Sequence, residues 1–170
     1  MDVVFTKGRS EDQVSFTRPD GSSGEFAFAH KGPLPHDAIH LFVERQLGLA
    51  RGFWGLVAGG RDPELVGAMA AAGGHASAKR AEVPDGGIVE LLQAERLVEC
   101  FEAEHWGGGE DDAGIVHMAE AGWSASHVAP IAFADGDIAA VRSAIREFAS
   151  DWSELAIGDS MTLDWPDASR

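Results

Sequence analysis

Lys31-Gly32-Pro33-Leu34-Pro35-His36-Asp37-Ala38-Ile39-His40-Leu41-Phe42-Val43-Glu44 is the junction on which the fold turns. Upstream of it, apolar residues recur at every second position: Val3 and Phe5, Val14 and Phe16, Phe26 and Phe28. That period belongs to strands with one buried face. Lys7-Gly8-Arg9-Ser10 and Pro19-Asp20-Gly21 supply turn chemistry between the runs, so residues 2–28 are expected to form a three-stranded antiparallel meander. Downstream, the spacing changes to three and four. Pro35 suits the first position of a helix, where no N–H is required, and Asp37 in the first turn favours the helix dipole. Gly48 is the expected stop of a helix over 35–48.

The rest of the chain follows the helical period. Gly52-Phe53-Trp54-Gly55-Leu56-Val57-Ala58 is apolar and short and is expected to form a buried helical turn at most. Asp62-Pro63-Glu64 has the order of a cap, a first-position proline and a first-turn acid, opening a helix to about Ala72 that Gly73-Gly74 ends. His75 to Gly87 is expected as an exposed connection. Residues 88–106 carry one stripe, Leu91, Ala94, Val98, Phe101 and His105, broken by Gly107-Gly108-Gly109. Ala113–Gly122 is expected as a further short helix. Ile138, Val141, Ile145, Phe148, Trp152 and Leu155 mark a last helix capped by Asp135 or Asp137. Met161–Trp165 alternates again and is expected to rejoin the N-terminal strands, because chain ends in one domain often meet. The fold expected is therefore α+β: a small antiparallel sheet (2–28 plus 161–165) covered by the helical region 35–155, as a single globular domain over 1–170.

Composition excludes several functional classes. The 170 residues are 45% hydrophobic and 24% charged, with formal net charge −15. Residues 1–85 carry a net of −2 and residues 86–170 a net of −13. Phosphate backbones and anionic membrane surfaces require basic neutralisation, so neither nucleic acid nor a membrane is expected as a partner. The single cysteine, Cys100, has no partner for an internal disulfide and falls among apolar residues, which fits an inert thiol in a reducing compartment. The N-terminus has no basic segment followed by an apolar run, so a cytoplasmic location is expected. A homo-oligomer is compatible with these features.

The chemistry concentrates at His36 and His40. Residues four apart project from one helix face, so two imidazoles can reach one divalent ion at about 2.0–2.1 Å. Counted around the helix, Ile39, Phe42, Val43 and Leu47 form the apolar stripe, with His36 and His40 on its flank, half buried at a core margin. The alternative is structural: each imidazole satisfied by a main-chain carbonyl, or His40 paired with Glu44. A metal centre needs a third ligand. Glu44 lies about 12 Å along the axis from His36 at 1.5 Å per residue, while His117, Glu120 and His105 are alternatives that spacing does not separate. The acidic run Glu90, Glu95, Glu99, Glu102 and Glu104 reads as a solvated helix face. Ser124, Ser126 and His127 lack a nucleophile elbow, and the glycine pairs lack phosphate-loop spacing.

His36-Asp37-Ala38-Ile39-His40 resembles the zincin signature H-E-x-x-H, with Asp37 in place of the glutamate. The resemblance implies zinc or another divalent metal on His36 and His40, with Asp37 as general base for a bound water. Aspartate is one methylene shorter, which sets that base further from the water. More broadly, Leu34 to Glu44, Leu47-Gly48-Leu49, Gly52-Phe53-Trp54-Gly55, Trp152, Leu155, Gly158 and Met161–Trp165 resemble a group of small uncharacterised bacterial proteins, a resemblance that implies no particular reaction. Two functional classes follow. One is a non-enzymatic regulatory or interaction module in which His36 and His40 are structural or hold a metal. The other is a metal-dependent hydrolase, with Glu44 fixing the tautomer of His40. The missing third ligand favours the first narrowly.

Overall fold

A computed structural model describes residues 1–30, 32–80 and 84–166, with the backbone alone for 74–80. Three N-terminal strands, β1 (Asp2–Thr6), β2 (Glu11–Thr17) and β3 (Ser23–Ala29), form the expected meander, and β4 (Ser160–Asp164) pairs antiparallel with β1. The sheet order is β3-β2-β1-β4. Its register places Val3 opposite Phe16 and Phe5 opposite Val14, so every second residue of β1 and β2 turns to one buried face. The ends do meet: Met1 and Trp165 exchange main-chain hydrogen bonds at 2.8 and 2.9 Å.

Among the described residues, six helices lie between β3 and β4: α1 (His36–Leu47), α2 (Phe53–Ala58), α3 (Pro63–Arg80), α4 (Val89–Gly107), α5 (Asp112–Ala125) and α6 (Asp137–Glu154). The class is α+β. Among the described residues, no helix is long and apolar enough to cross a membrane. Helix α1 is the centre of the helical layer. Residues Ala38 to Glu44 are buried without interruption, because α1 has α2 and α6 beside it and α4 against the face that carries the histidines. Phe5 of the sheet meets Trp54 and Phe148 edge-on at 6.2 and 6.0 Å, and Phe148 also meets Phe42 of α1. Burying each such ring contributes about 1.5–3 kcal/mol, so these aromatics bind sheet, α1, α2 and α6 into one core.

Several boundaries differ from the sequence expectation. Pro35 is the N-cap of α1 rather than its first residue, whereas Gly48 stops it as expected, at φ 65° with its N–H on the Glu44 carbonyl. The Asp62 carboxylate does cap α3, accepting the Leu65 N–H at 3.0 Å. That helix runs through Gly73-Gly74 to Arg80 instead of ending at Ala72, so 75–80 is helix and not connection. Alanine-rich flanks offset a penalty of about 1 kcal/mol per glycine. Gly73 also lets α3 approach α4: a Cβ there would stand 2.7 Å from Ile88 Cδ1. Residues 81–83 of the expected connection, and Lys31 of the junction, lie outside the described residues. Helix α5 is longer than Ala113–Gly122. Asp137 begins α6 behind Gly136 and turns its carboxylate back to the Ala134 N–H at 2.7 Å, so neither Asp135 nor Asp137 is the N-cap.

Candidate metal centre

The first turns of α1 put His36 and His40 side by side, with ring centroids 4.8 Å apart and Nε2 atoms 3.2 Å apart. Their expected half-burial at a core margin applies to His36, whose side chain is 27% exposed, and not to His40, at 1%. The reason is α4, which lies across that face of α1 and brings its own carboxylates. Glu95 Oε2 is 3.7 Å from His36 Nε2, and Glu95 Oε1 is 3.6 Å from His40 Nε2. His36, His40 and Glu95 each offer a ligand atom, all within 4.8 Å of one another, so this group could hold a metal ion.

Behind each imidazole stands a second carboxylate. Glu102, two turns beyond Glu95 on α4, meets His36 Nδ1 at 3.0 Å. Glu44, one turn beyond His40 on α1, meets His40 Nδ1 at 2.9 Å. Hydrogen-bond geometry therefore assigns the proton of each neutral ring to Nδ1 and leaves both Nε2 lone pairs facing Glu95. Two lone pairs and a carboxylate cannot share one point without a cation between them. A proton between the two Nε2 atoms, which stand at hydrogen-bond distance, or one divalent ion meets that requirement. Burial opposes charge on His36, but Glu102 and Glu95 outweigh it and hold the imidazole up at about 8. His40 is raised well above its ordinary value on the same balance, with Glu44 and Glu95 overcoming complete burial. Burial likewise works to raise Glu95, and the two imidazoles outweigh it, holding the carboxyl well below the usual range.

Glu44 has no exposed surface. Its Oε1 accepts the Phe53 N–H at 2.7 Å, and its Oε2 accepts the Trp54 N–H at 2.9 Å. Burial pushes its carboxyl up, while these two amides and His40 pull the other way. A carboxylate engaged in this way braces His40 and the start of α2 and does not face the point shared by the two Nε2 atoms. The other third-ligand candidates stand apart. His117 and Glu120 are exposed on α5, and His105 lines a smaller depression of about 220 Å³ with Glu104 and Arg142. There Arg142 holds Glu104 through two bonds, 2.7 and 2.9 Å.

The group opens into a cavity of about 600 Å³, within the usual range for small-molecule sites. Phe26, Phe28, Leu34 and Phe53 supply apolar wall, and Asp37 lies on its border. The main-chain oxygen of Asp37 accepts the Trp54 indole N–H at 2.7 Å, locking this end of α1 to α2. The contribution of Glu95 was missed because its run reads as a solvated face. One signal was present: Glu95 adjoins Ala94 and Val98 of the buried stripe, at the margin where a neighbouring helix makes contact.

Fold and site together define an α+β protein with a His-His-Glu group able to hold a metal ion. Comparison with protein-family models, curated proteins and solved structures finds no match.

Proposed function

We propose that this protein binds one divalent transition metal, zinc in the first instance, through His36 Nε2, His40 Nε2 and Glu95, with Glu102 and Glu44 orienting the two rings. The observation that carries this reading is that both Nδ1 atoms are already engaged while both Nε2 atoms and the Glu95 carboxylate converge. Imidazole and carboxylate ligands suit zinc and its neighbours among the divalent metals. In a purely structural role the ion would be expected to have a closed fourth position. Three protein ligands beside a cavity instead favour an ion that takes a small ligand or water, which supports the enzymatic alternative over a regulatory or interaction module.

The test is metal analysis and zinc titration calorimetry of purified protein, with H36A, H40A and E95Q alongside. One zinc per chain in the wild type, lost in the histidine variants and weakened in E95Q, is expected. Saturation at a hundred times Kd would add about 2.7 kcal/mol of stability. A wild type that binds no metal, and whose melting is unmoved by zinc or chelator, refutes the reading.

A further inference from the structure

The same cavity carries a second polar pair, on its sheet wall. Along β2 the inward positions are Asp12, Val14 and Phe16, and Asp12 is only 3% exposed. A carboxylate on the buried face of a strand is costly unless its oxygens are engaged. Asp12 Oδ1 accepts the Gly8 N–H at 2.9 Å and meets His30 Nε2 at 2.9 Å. The register makes that meeting local: Asp12 lies opposite Phe28, and His30 is the next residue of β3's inward series, diagonal to Asp12. His30 is 39% exposed, and among the described residues nothing is bonded to its Nδ1. Asp12 and His30 both border the cavity, as do His36, His40 and Glu95.

We propose that His30, oriented by Asp12, is the proton-transfer residue of a metal-dependent hydrolysis of uncharged esters with a small apolar acyl group. The proposal rests on the metal reading above. A fixed carboxylate that receives Nε2–H leaves the Nδ1 lone pair available, which is the base–orienter arrangement of nucleophilic sites. The apolar wall of Phe26, Phe28, Leu34 and Phe53 suits the acyl chain. Charge argues against a phosphate ester: Asp12, Asp37, Glu64 and Glu95 border the cavity against one guanidinium, Arg96, whose Nη1 is bonded to Glu99 at 2.8 Å, so that the carboxylates outnumber the positive charge even with a divalent ion bound. A bound divalent ion would polarise the carbonyl oxygen. Water oxygen then bonds to the carbonyl carbon as His30 Nδ1 takes the water's proton. The acyl C–O bond breaks, and His30 passes that proton to the departing alkoxide, giving a carboxylic acid and an alcohol.

Zinc-loaded protein is assayed on p-nitrophenyl acetate, butyrate and hexanoate, with zinc content measured on every sample. H30A should keep one zinc per chain and lose kcat by about 100-fold or more. After subtraction of the rate that imidazole alone gives on the same ester, added imidazole should restore part of the H30A rate while leaving the wild type unchanged, which a merely structural histidine would not show. D12N should lower kcat with little change in KM. Failure of the metal reading shows separately, as a wild type without zinc, and removes this proposal with it. With zinc bound, either an H30A rate within threefold of wild type or a wild type no faster than buffer on all three esters overturns it.

Discussion

Replacing Glu44 by glutamine removes one acceptor from the most enclosed part of the site. In the native protein Oε1 takes both His40 Nδ1–H and the Phe53 N–H, and Oε2 takes the Trp54 N–H. A glutamine has a single acceptor oxygen. Placed at Oε1 it keeps two bonds and turns its NH₂ towards the Trp54 N–H, so a buried donor loses its partner at a cost of about 1–3 kcal/mol. The two surviving bonds lose their charge, about 1 kcal/mol each. The sum is about 3–5 kcal/mol, a large fraction of the roughly 5–15 kcal/mol that holds a domain folded. Melting should fall by roughly 10 °C, at about 2–4 °C per kcal/mol for a chain of this size. Zinc affinity should fall about 10–100-fold as the His40 ring loses its brace. Urea unfolding in chelator measures the first effect, and calorimetric zinc titration the second. A loss below 1 kcal/mol with unchanged zinc affinity would refute the reasoning, because it would mean that Glu44 is neutral in the folded protein and that glutamine replaces it isosterically.

Two further outcomes follow from the same structure. His36 is held above its unfolded value, so its stabilisation is complete below about pH 6.5 and is lost as pH rises through about 8. Glu95 is depressed, so its share is present above about pH 4.5 and is lost on acidification. Metal-free protein should therefore be less stable at pH 9 than at pH 6, by on the order of 2 kcal/mol, while zinc affinity rises over that interval as the competing protons leave. Urea midpoints at the two pH values in chelator test the sign, and a higher midpoint at pH 9 would contradict it. Gly67 sits inside α3 with nothing within 4 Å of a Cβ placed there, so G67A should stabilise the protein by about 0.5–1 kcal/mol. An unchanged or lower urea midpoint in that variant would contradict the helix-interior assignment.

The parts of the fold legible in the sequence are those that a local period reports. Alternation at Val3, Phe5, Val14 and Phe16 marks the sheet face, and the three-and-four spacing of Leu91, Ala94, Val98 and Phe101 marks the buried stripe of α4. Gly73-Gly74 misled because a glycine pair reads as a stop. Contact with Ile88 of the segment leading into α4 rewards the absence of a side chain at Gly73, a tertiary effect invisible along the chain. The Asp12–His30 pair was written into the strand alternation, as a polar residue on an inward position. One polar residue at an inward position leaves the apolar/polar alternation of its strand intact, so the period alone does not single it out.

By itself, the sequence determined that two imidazoles leave one helix in the same direction, because residues four apart on α1 must do so. It determined likewise that strands precede helices and that a final strand returns to the first. Only the tertiary structure decided what those imidazoles face. Helical period states which side of a helix is buried, and says nothing of which other helix buries it. Packing α4 across α1 converts Glu95 from a surface charge into a partner of both Nε2 atoms, and makes Glu102 and Glu44 the braces behind them.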